Sequence, residues 1–374
     1  MKKITLIIFI IIIILAAAGF AFREKLMAQF FKPNTSTTQN GKASTSTKPE
    51  IVIENLDTPW ELAFLPEGDM LVTERDGKVL RINAGSKDSI IISGVANRGE
   101  GGLLGLALDP NFSENKYIYL YLTTQNSSII TNQVERYTLD GSSVSDRTII
   151  IKDIPGSTNH DGGRIAFGPD GKLYITTGDV GVEKNAQDTN SLAGKILRIN
   201  SDGTIPSDNP FNNATYSYGH RNAQGIIWDE NGELWATEHG RSGAQTGYDE
   251  LNKIVAGNNY GWPTIQGNET KEGMVAPQIH SGGSETWAPA GIAYLNNHVM
   301  FAGLRGESIY AADISNGTAK DLKKYLSSVY GRLRTVIVGP DGMLYILTNN
   351  RDGRGTAKSG DDKIIKVSPE TFGI

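Results

Sequence analysis

The sequence has no cysteine and only five histidines in 374 residues. Without thiols it cannot form a disulfide, a thiolate metal site or a lipid-modified cysteine. It contains no His-Glu-x-x-His, Gly-x-Ser-x-Gly or Walker-type motif, so zinc protease, serine hydrolase and P-loop activities lack their usual signatures. No basic cluster stands out and the formal net charge is -5, which argues against nucleic acid as a partner.

One long apolar run stands at the N-terminus. Lys2 and Lys3 precede residues 4–22, which are all apolar or small. This length is close to the roughly 20 residues that span a bilayer, and a cleaved signal peptide usually has a shorter apolar region. We expect residues 1–24 to be a signal anchor or signal peptide. The protein would then be extracytoplasmic, anchored to the cell membrane by residues 4–22, or secreted if that segment is cleaved.

Residues 25–49 are rich in Ser, Thr and Asn. This composition predicts a flexible tether. From about residue 50 short apolar runs alternate with turn residues, and a long amphipathic helical pattern is absent from the sequence.

One sequence pattern is repeated six times after the tether. Each copy is an apolar run, a turn of the Pro-Asp-Gly type and a second apolar run, which predicts an antiparallel hairpin. Third short runs follow several copies, at residues 78–82, 195–200, 308–312 and 363–367. The copies begin at Trp60, Gly105, Arg164, Gly225, Gly291 and Arg334.

Repeats of this size, each a small β-meander, predict a propeller. We therefore expect residues 50–374 to form an all-β, six-bladed β-propeller of four-stranded antiparallel blades. A β-sandwich or two β-domains is the alternative, and the repeated pattern disfavours it.

The loop at residues 157–164 is the first candidate site. It lies at a strand entry, and Gly162 and Gly163 allow the backbone to approach a ligand closely. His160 could act as a general base, because histidine titrates near neutral pH. The alternative is ordinary turn chemistry with a surface histidine. Asp161 is not expected to be catalytic.

Other polar loops hold corresponding places in the repeats, at residues 98–102, 219–225, 238–241 and 332–334. Loops at the same point of successive blades converge at one end of a propeller, so His160, Arg221 and Arg334 should face one another. Several arginines suit a planar polyanionic ligand. Alternatively Arg332 and Arg334 are solvent-facing charges. The carboxylates at residues 238–250 form either a solvated loop or a calcium site.

Taken together, several of these stretches resemble a known family. They are residues 101–112, the loop at residues 157–164, Gly-His-Arg-Asn at 219–222, Glu-His-Gly at 238–240, Asp-Glu-Leu-Asn at 249–252, Asn-Tyr-Gly-Trp-Pro at 259–263 and Arg-Leu-Arg at 332–334. The chain resembles the soluble aldose sugar dehydrogenases that depend on pyrroloquinoline quinone (PQQ), in the glucose/sorbosone dehydrogenase family. Members of that family are six-bladed propellers. The resemblance runs from about residue 51 to about residue 367.

The resemblance implies oxidation of an aldose at the anomeric carbon to the lactone, with hydride transfer to PQQ. His160 would be the general base, and Arg221 would stabilise charge on the quinone. Glu100 stands where the family often has Gln. The residues implied in cofactor binding are Glu100, Arg221, Asn222, His239, Arg305, Arg332 and Arg334.

The resemblance also implies calcium. One ion would bind through the backbone of Gly240 and Arg241, where the family has Gly-Pro, and a second through Glu250 and the backbone around Tyr260. The implied partners are a small-molecule aldose and an unknown electron acceptor, with the membrane contacted through the N-terminal segment. A monomer or homodimer is expected. Two other functions stay open: a non-catalytic cell-surface binding module and a calcium-dependent lactonase-type hydrolase.

Overall fold

The computed structural model describes residues 39–40, 48–83, 85–241 and 247–374. The predicted signal anchor lies outside these residues, as does most of the predicted tether. Within the described part of the chain, no helix is long and apolar enough to cross a membrane.

The described residues are almost entirely β-structure, with one short α-helix, α1 (Phe112–Asn115), and two 3-10 helices (Glu183–Gln187 and Pro369–Phe372). The strands in chain order are β1 (Gln39–Asn40), β2 (Glu50–Ile53), β3 (Pro59–Phe64), β4 (Met70–Glu74), β5 (Lys78–Asn83), β6 (Ser86–Ile91), β7 (Leu103–Leu108), β8 (Tyr117–Asn126), β9 (Ile129–Asp140), β10 (Ser143–Pro155), β11 (Ile165–Phe167), β12 (Leu173–Thr176), β13 (Lys195–Ile199), β14 (Thr215–Tyr218), β15 (Ala223–Trp228), β16 (Leu234–Glu238), β17 (Glu250–Ile254), β18 (Ile279–His280), β19 (Pro289–Leu295), β20 (His298–Gly303), β21 (Ser308–Asp313), β22 (Lys320–Tyr325), β23 (Leu333–Val338), β24 (Leu344–Thr348) and β25 (Ile364–Val367).

The strands form six antiparallel four-stranded sheets, so the predicted six-bladed propeller is confirmed. Blades 1 to 5 are β3–β6, β7–β10, β11–β14, β15–β18 and β19–β22 in sequence order. In blade 5, β1 adds a short parallel fifth strand against β22. Blade 6 combines β23–β25 with β2, so its outer strand comes from the region before blade 1. The ring is thereby closed by β2, an arrangement that the repeat pattern did not predict.

The repeated Pro-Asp-Gly turns make the same contacts in different blades. In blade 3 the Asp170 carboxylate accepts from the backbone N–H of Lys172 and from the Tyr174 hydroxyl, each at 3.1 Å. In blade 6 Asp341 accepts from the hydroxyl of Tyr345 at 3.0 Å. In these two blades the turn carboxylate therefore fixes both the turn and the second strand.

Apolar side chains pack between blades rather than in one central core. Each of the six junctions between adjacent blades holds a cluster of buried apolar residues. Strands in the middle of a blade are buried on both faces for this reason, as in β12 and β24. They are continuous apolar runs, as expected for strands covered on both sides.

The antiparallel register determines where the polar loops lie. In each blade the start of the first strand pairs with the end of the second, as Ala223 does with Glu238 and Leu333 with Thr348. Loops that precede first strands and loops that follow second strands therefore share one end of the propeller.

Candidate active site

His160 lies in the loop between β10 and β11, with its backbone in the left-handed region at a φ of 58°. Its Nδ1 is 2.6 Å from Oδ1 of Asp179, which follows β12. Its backbone N–H donates to Oε2 of Glu100 at 2.9 Å. Carboxylates from two blades therefore fix both the ring and the main chain of His160.

Asp179 determines which nitrogen of His160 carries the proton. Burial alone would raise the pKa of Asp179, but hydrogen bonds from His160, Gly181 and Trp262 hold that pKa below its ordinary value. An ionised carboxylate can only accept, so His160 donates its Nδ1–H to Asp179. The lone pair of Nε2 is then available, as a general base requires.

The rest of this loop is held by buried contacts. Oδ1 of Asp161 accepts from the backbone N–H of Ser157 and from Nδ2 of Asn132, both at 3.0 Å. Burial raises the pKa of Asp161 to about 6. A Cβ at Gly178 would lie 1.8 Å from the carbonyl oxygen of His160, so only glycine allows the two loops to approach this closely. These contacts place Asp161 as a residue that shapes the loop.

Beside His160, a polar cavity opens at the end of the propeller that carries these loops. Its walls include Glu100, Gln224, His239, Arg334, Arg354 and Arg75. The carboxylate of Glu100 pairs with Nη1 of Arg354 at 2.7 Å. Burial would raise the pKa of Glu100, but the charges of Arg354 and His160 together with the backbone N–H of His160 lower it to about 2. Glu100 is therefore ionised at neutral pH.

Several buried donors around this cavity have no hydrogen-bond partner among the described residues. They are Nε of Arg75, Nε of Arg334, Nε2 of His239 and Nδ2 of Asn222. Burial lowers the pKa of Arg334 to about 9, lowers that of Arg75, and lowers that of His239 to about 3. Buried donors without a partner are destabilising, and Arg75 and Arg334 also carry buried positive charge, so the cavity has the donors and the charge to receive an anionic, hydrogen-bonding ligand.

Arg221 and Asn222 precede β15 and lie close to the His160 loop. Oδ1 of Asn222 accepts from the backbone N–H of Gly162 at 3.0 Å. The guanidinium of Arg221 lies 5.3 Å from the ring centre of Trp262, whose Nε1 donates to Asp179 at 2.9 Å. Arg221 and His160 are thus linked through one tryptophan and one aspartate.

The floor of the cavity is a stack of aromatic and basic side chains. The guanidinium of Arg164 lies 4.2 Å from a ring centre of Trp60, and that of Arg334 lies 5.4 Å from one. Nη1 of Arg334 donates to Oε1 of Gln224 at 2.6 Å, and Nε of Arg164 donates to the carbonyl of Gln224 at 2.9 Å. Arg164 also pairs with the buried Glu61. Glu61 and Arg164 also border a second cavity, which lies between the first strands of the blades and is lined mainly by apolar side chains.

Two of the predicted arginines are positioned differently from Arg334. Arg332 donates from Nε and Nη2 to the buried Asp352, at 3.1 and 2.7 Å, and from Nη1 to the carbonyl of Leu304. Arg305 is buried in the turn after β20, where its backbone N–H donates to the carbonyl of Trp287. The side chain of Arg332 therefore holds the loop around Asp352, while that of Arg334 lines the cavity.

The predicted metal-binding backbone at Gly240 and Arg241 is tightly packed. The N–H of Gly240 donates to Oδ1 of Asp249 at 2.8 Å. A Cβ at Gly240 would lie 2.2 and 2.3 Å from the carbonyl oxygens of Gly247 and Tyr248. The side chain of Arg241 turns to Gln266, so the main chain is what this pair could offer a cation.

Glu250 and Tyr260 are connected through a buried polar group. Glu250 pairs across the sheet with Glu238, and Glu238 contacts Nδ1 of His220 at 2.8 Å. The ring of His220 stacks on Tyr260 at 4.8 Å. Burial, reinforced by the charge of Glu238, raises the pKa of Glu250. In the part of the chain that the structure describes, no three His, Cys, Asp or Glu side chains are arranged to hold a metal ion, so a calcium ion here would need backbone carbonyls.

No role was predicted from the sequence for Asp179, Arg75, Trp262 or Arg354. A positional signal was present, because Arg75, Asp179 and Arg354 all follow the second strand of a repeat, as His239 does. Polar residues at that point of each repeat lie at the same end as the loops before the first strands. Trp262 was part of the Asn-Tyr-Gly-Trp-Pro motif at residues 259–263, but the motif alone gave it no role.

The six-bladed propeller, with a histidine–carboxylate pair beside a basic cavity, agrees with the sequence comparison that follows. A sequence model of the family described as Glucose / Sorbosone dehydrogenase matches residues 56–358. The chain therefore belongs to the glucose/sorbosone dehydrogenase family and is an oxidoreductase.

Individual proteins of related sequence support this assignment. The PQQ-bound form of aldose sugar dehydrogenase from Streptomyces coelicolor has a TM-score of 0.80 and 40% identity, covering 88% of this chain and 99% of that one. Aldose sugar dehydrogenase YliI of Escherichia coli (strain K12) is 32% identical over 355 residues, which is 86% of this chain and 92% of that protein. Quinoprotein glucose dehydrogenase B of Acinetobacter calcoaceticus is 35% identical over 261 residues, which is 60% of this chain and 54% of that protein.

Proposed function

We propose that this protein oxidises an aldose at the anomeric carbon to the lactone, using PQQ as the hydride acceptor. The observation that carries the proposal is the His160–Asp179 pair beside a cavity whose buried donors suit an anionic ligand. Similarity to the PQQ-bound dehydrogenase of Streptomyces coelicolor supports the choice of cofactor.

In this mechanism His160 removes a proton from the anomeric hydroxyl through Nε2. Asp179 keeps the proton on Nδ1 and stabilises the imidazolium that forms, because its carboxylate is ionised and lies 2.6 Å away. The quinone, when bound, accepts the hydride from the anomeric carbon. Sugar oxidation would thus give one proton to His160 and one hydride, which is a proton with two electrons, to the bound cofactor.

The cavity residues would hold the cofactor through charge and hydrogen bonds. Arg334, Arg75, His239 and Asn222 offer donors that have no partner among the described residues. Arg221 supplies a positive charge close to the pair formed by His160 and Asp179, where it would stabilise negative charge that develops during hydride transfer. Arg332 would act indirectly, by holding the loop at Asp352, and we assign the carboxylates of the cofactor to Arg334 with Arg305 as an additional positive charge.

We also propose calcium as a second cofactor. The main chain at Gly240 and Arg241 would provide carbonyl ligands to one ion. A second ion would bind Glu250 and the backbone around Tyr260, where a cation would offset the repulsion between the buried Glu238 and Glu250 carboxylates. Such ions would stabilise a fold that has no disulfide.

We further propose that residues 4–22 anchor the protein to the cell membrane with the propeller on the outer side, where an electron acceptor receives the electrons. Protease accessibility of the propeller in intact cells, compared with lysed cells, tests this location. Digestion only after lysis would contradict it.

Reconstitution tests the activity. The full-length protein is purified, supplied with PQQ and calcium, and followed by dye reduction with a panel of aldoses, with quinone omitted as the control. Quinone-dependent dye reduction supports the proposal. Absence of quinone binding by calorimetry would instead indicate a binding module, and lactone hydrolysis without an electron acceptor would indicate a hydrolase.

A further inference from the structure

A salt bridge at the edge of the cavity joins loops from two blades. Glu100 precedes β7 in blade 2, and Arg354 follows β24 in blade 6. Oε1 of Glu100 contacts Nη1 of Arg354 at 2.7 Å, while its Oε2 accepts from the backbone N–H of His160 at 2.9 Å. The exposed fractions of the Glu100 and Arg354 side chains are 18% and 27%, and that of His160 is 15%. The pair therefore lies one hydrogen bond from His160 and within reach of a solute.

Arg354 is delivered by a loop that is itself fixed. Oδ1 of Asp352 accepts from the backbone N–H groups of Arg354 and Gly355 at 2.9 and 3.2 Å. Oδ2 of the same carboxylate accepts from Nη2 of Arg332 at 2.7 Å. The guanidinium of Arg354 is thus carried by a rigid loop, and its charge has a defined place beside Glu100.

Within the pair the two charges offset each other, so a substrate beside His160 would meet one acceptor and one donor, while the positive charges of Arg75 and Arg334 in the same cavity are assigned to the cofactor. Neighbouring hydroxyl groups of a neutral sugar can bond to both. A carboxylate or phosphate on the sugar would lie against the charge of Glu100, and it would compete with Glu100 for Arg354. Such a pairing can reject a charged competitor while it accepts a neutral one.

We propose that the Glu100–Arg354 pair is a specificity determinant that selects neutral aldoses over anionic ones. This inference rests on the proposed dehydrogenase function and extends it to the class of substrate. It assigns Arg354, at the edge of the cavity, a role in substrate selection.

The test compares neutral sugars with their uronic acids in the full-length protein loaded with PQQ and calcium. The pairs are glucose with glucuronic acid and galactose with galacturonic acid, and the readout is the ratio of their kcat/KM values. Differences in cofactor loading cancel in this ratio, because both sugars of a pair are measured on one preparation. The parent is expected to favour the neutral sugar of each pair.

Glu100→Gln keeps an oxygen acceptor for the N–H of His160 but removes the charge opposite Arg354. The ratio should move toward the uronic acid by about two- to fivefold, mainly through KM, which is the size expected for a partly exposed charge pair. Arg354→Gln should move the ratio in the opposite direction, since it leaves Glu100 facing the substrate alone. The double variant Glu100→Gln, Arg354→Gln restores neutrality and should return toward the parent ratio.

A parent that favours uronic acids overturns the inference, as does a ratio that stays within twofold in both single variants. In either case the dehydrogenase function would stand. If the parent reduces dye with none of the four sugars nor with any other aldose, the proposed function itself fails. Melting temperatures show whether Glu100→Gln folds. If it does not fold, the ratio measured for Arg354→Gln alone still tests the inference.

Discussion

Replacing Asp179 with Asn tests whether the Asp179 carboxylate sets the tautomer of His160 and stabilises its protonated form. Asp179 accepts from Nδ1 of His160 and from the N–H of Gly181 with Oδ1, and from Nε1 of Trp262 with Oδ2. An amide can accept with only one of its two atoms. The NH₂ group of the amide must therefore point either at Trp262 or at both His160 and Gly181. In each case two hydrogen-bond donors face each other.

The cost follows from what is lost. If the amide oxygen faces His160, the tautomer persists but a charge-assisted hydrogen bond becomes a neutral one. Hydrogen bonds to charged groups contribute about 1.5–3 kcal/mol and neutral ones about 0.5–1.5 kcal/mol, and the difference of about 1–1.5 kcal/mol corresponds to roughly a 5- to 13-fold fall in kcat. If the amide nitrogen faces His160, Nδ1 must accept, Nε2 carries the proton, and the fall is larger. The KM for the aldose should change little, since Asp179 acts through His160.

The assay is steady-state dye reduction by the full-length protein saturated with PQQ and calcium. Asp202→Asn is a matched control, because Asp202 lies in an exposed turn of the same blade and contacts Thr204; its kcat should equal that of the parent. A kcat for Asp179→Asn within twofold of the parent would refute the reasoning, because the histidine would then not depend on the carboxylate.

Three further predictions concern the cavity, the closure of the ring and the buried carboxyl beside the base. Arg334→Gln should weaken PQQ binding by about tenfold or more, because a charge-assisted contact is lost, and a binding titration that gives an unchanged Kd would contradict this. Ile53→Ala in β2 should lower the free energy of unfolding by about 2–4 kcal/mol, since Ile53 is buried between blades 1 and 6. Ile51→Ala on the same strand is the control, since Ile51 is 48% exposed, and equal losses in urea unfolding would argue against closure by β2. Asp161→Asn should melt above the parent at pH 8 and lose that advantage by pH 5. The raised pKa of Asp161, about 6, means that the folded state binds its proton more tightly, so the protonated carboxyl stabilises the fold at low pH and this contribution is lost as the pH rises through 6. A melting temperature difference that does not change with pH would contradict that assignment.

The repeated hairpins made most of the fold predictable. Each Pro-Asp-Gly turn is a local signal, and the third runs near Lys78, Lys195 and Ser308 became β5, β13 and β21. The outer strand of blade 6 was not predictable in this way, because β2 pairs with β25 across more than 300 residues. A pairing at that separation is set by closure of the ring, and no local pattern encodes it.

The site was predictable in part, for a related reason. Residues just before or at the start of the first strand of a repeat, such as His160, Arg221 and Arg334, could be assigned to one end of the propeller from the repeat alone. The hydrogen-bond partners could not be assigned, because Asp179 and Arg354 lie in loops of irregular length after the second strands. Arg332 has a place in the repeat similar to that of Arg334, yet it binds Asp352, and only side-chain packing distinguishes the two.

His160→Asn measures the central claim most directly. Asn tolerates the left-handed backbone that residue 160 adopts, so the loop should keep its shape while the base is lost. The account predicts that the variant binds PQQ as the parent does but reduces dye with an aldose at least about 100-fold more slowly. An aldose-dependent rate equal to that of the parent, at equal quinone occupancy, would contradict the account.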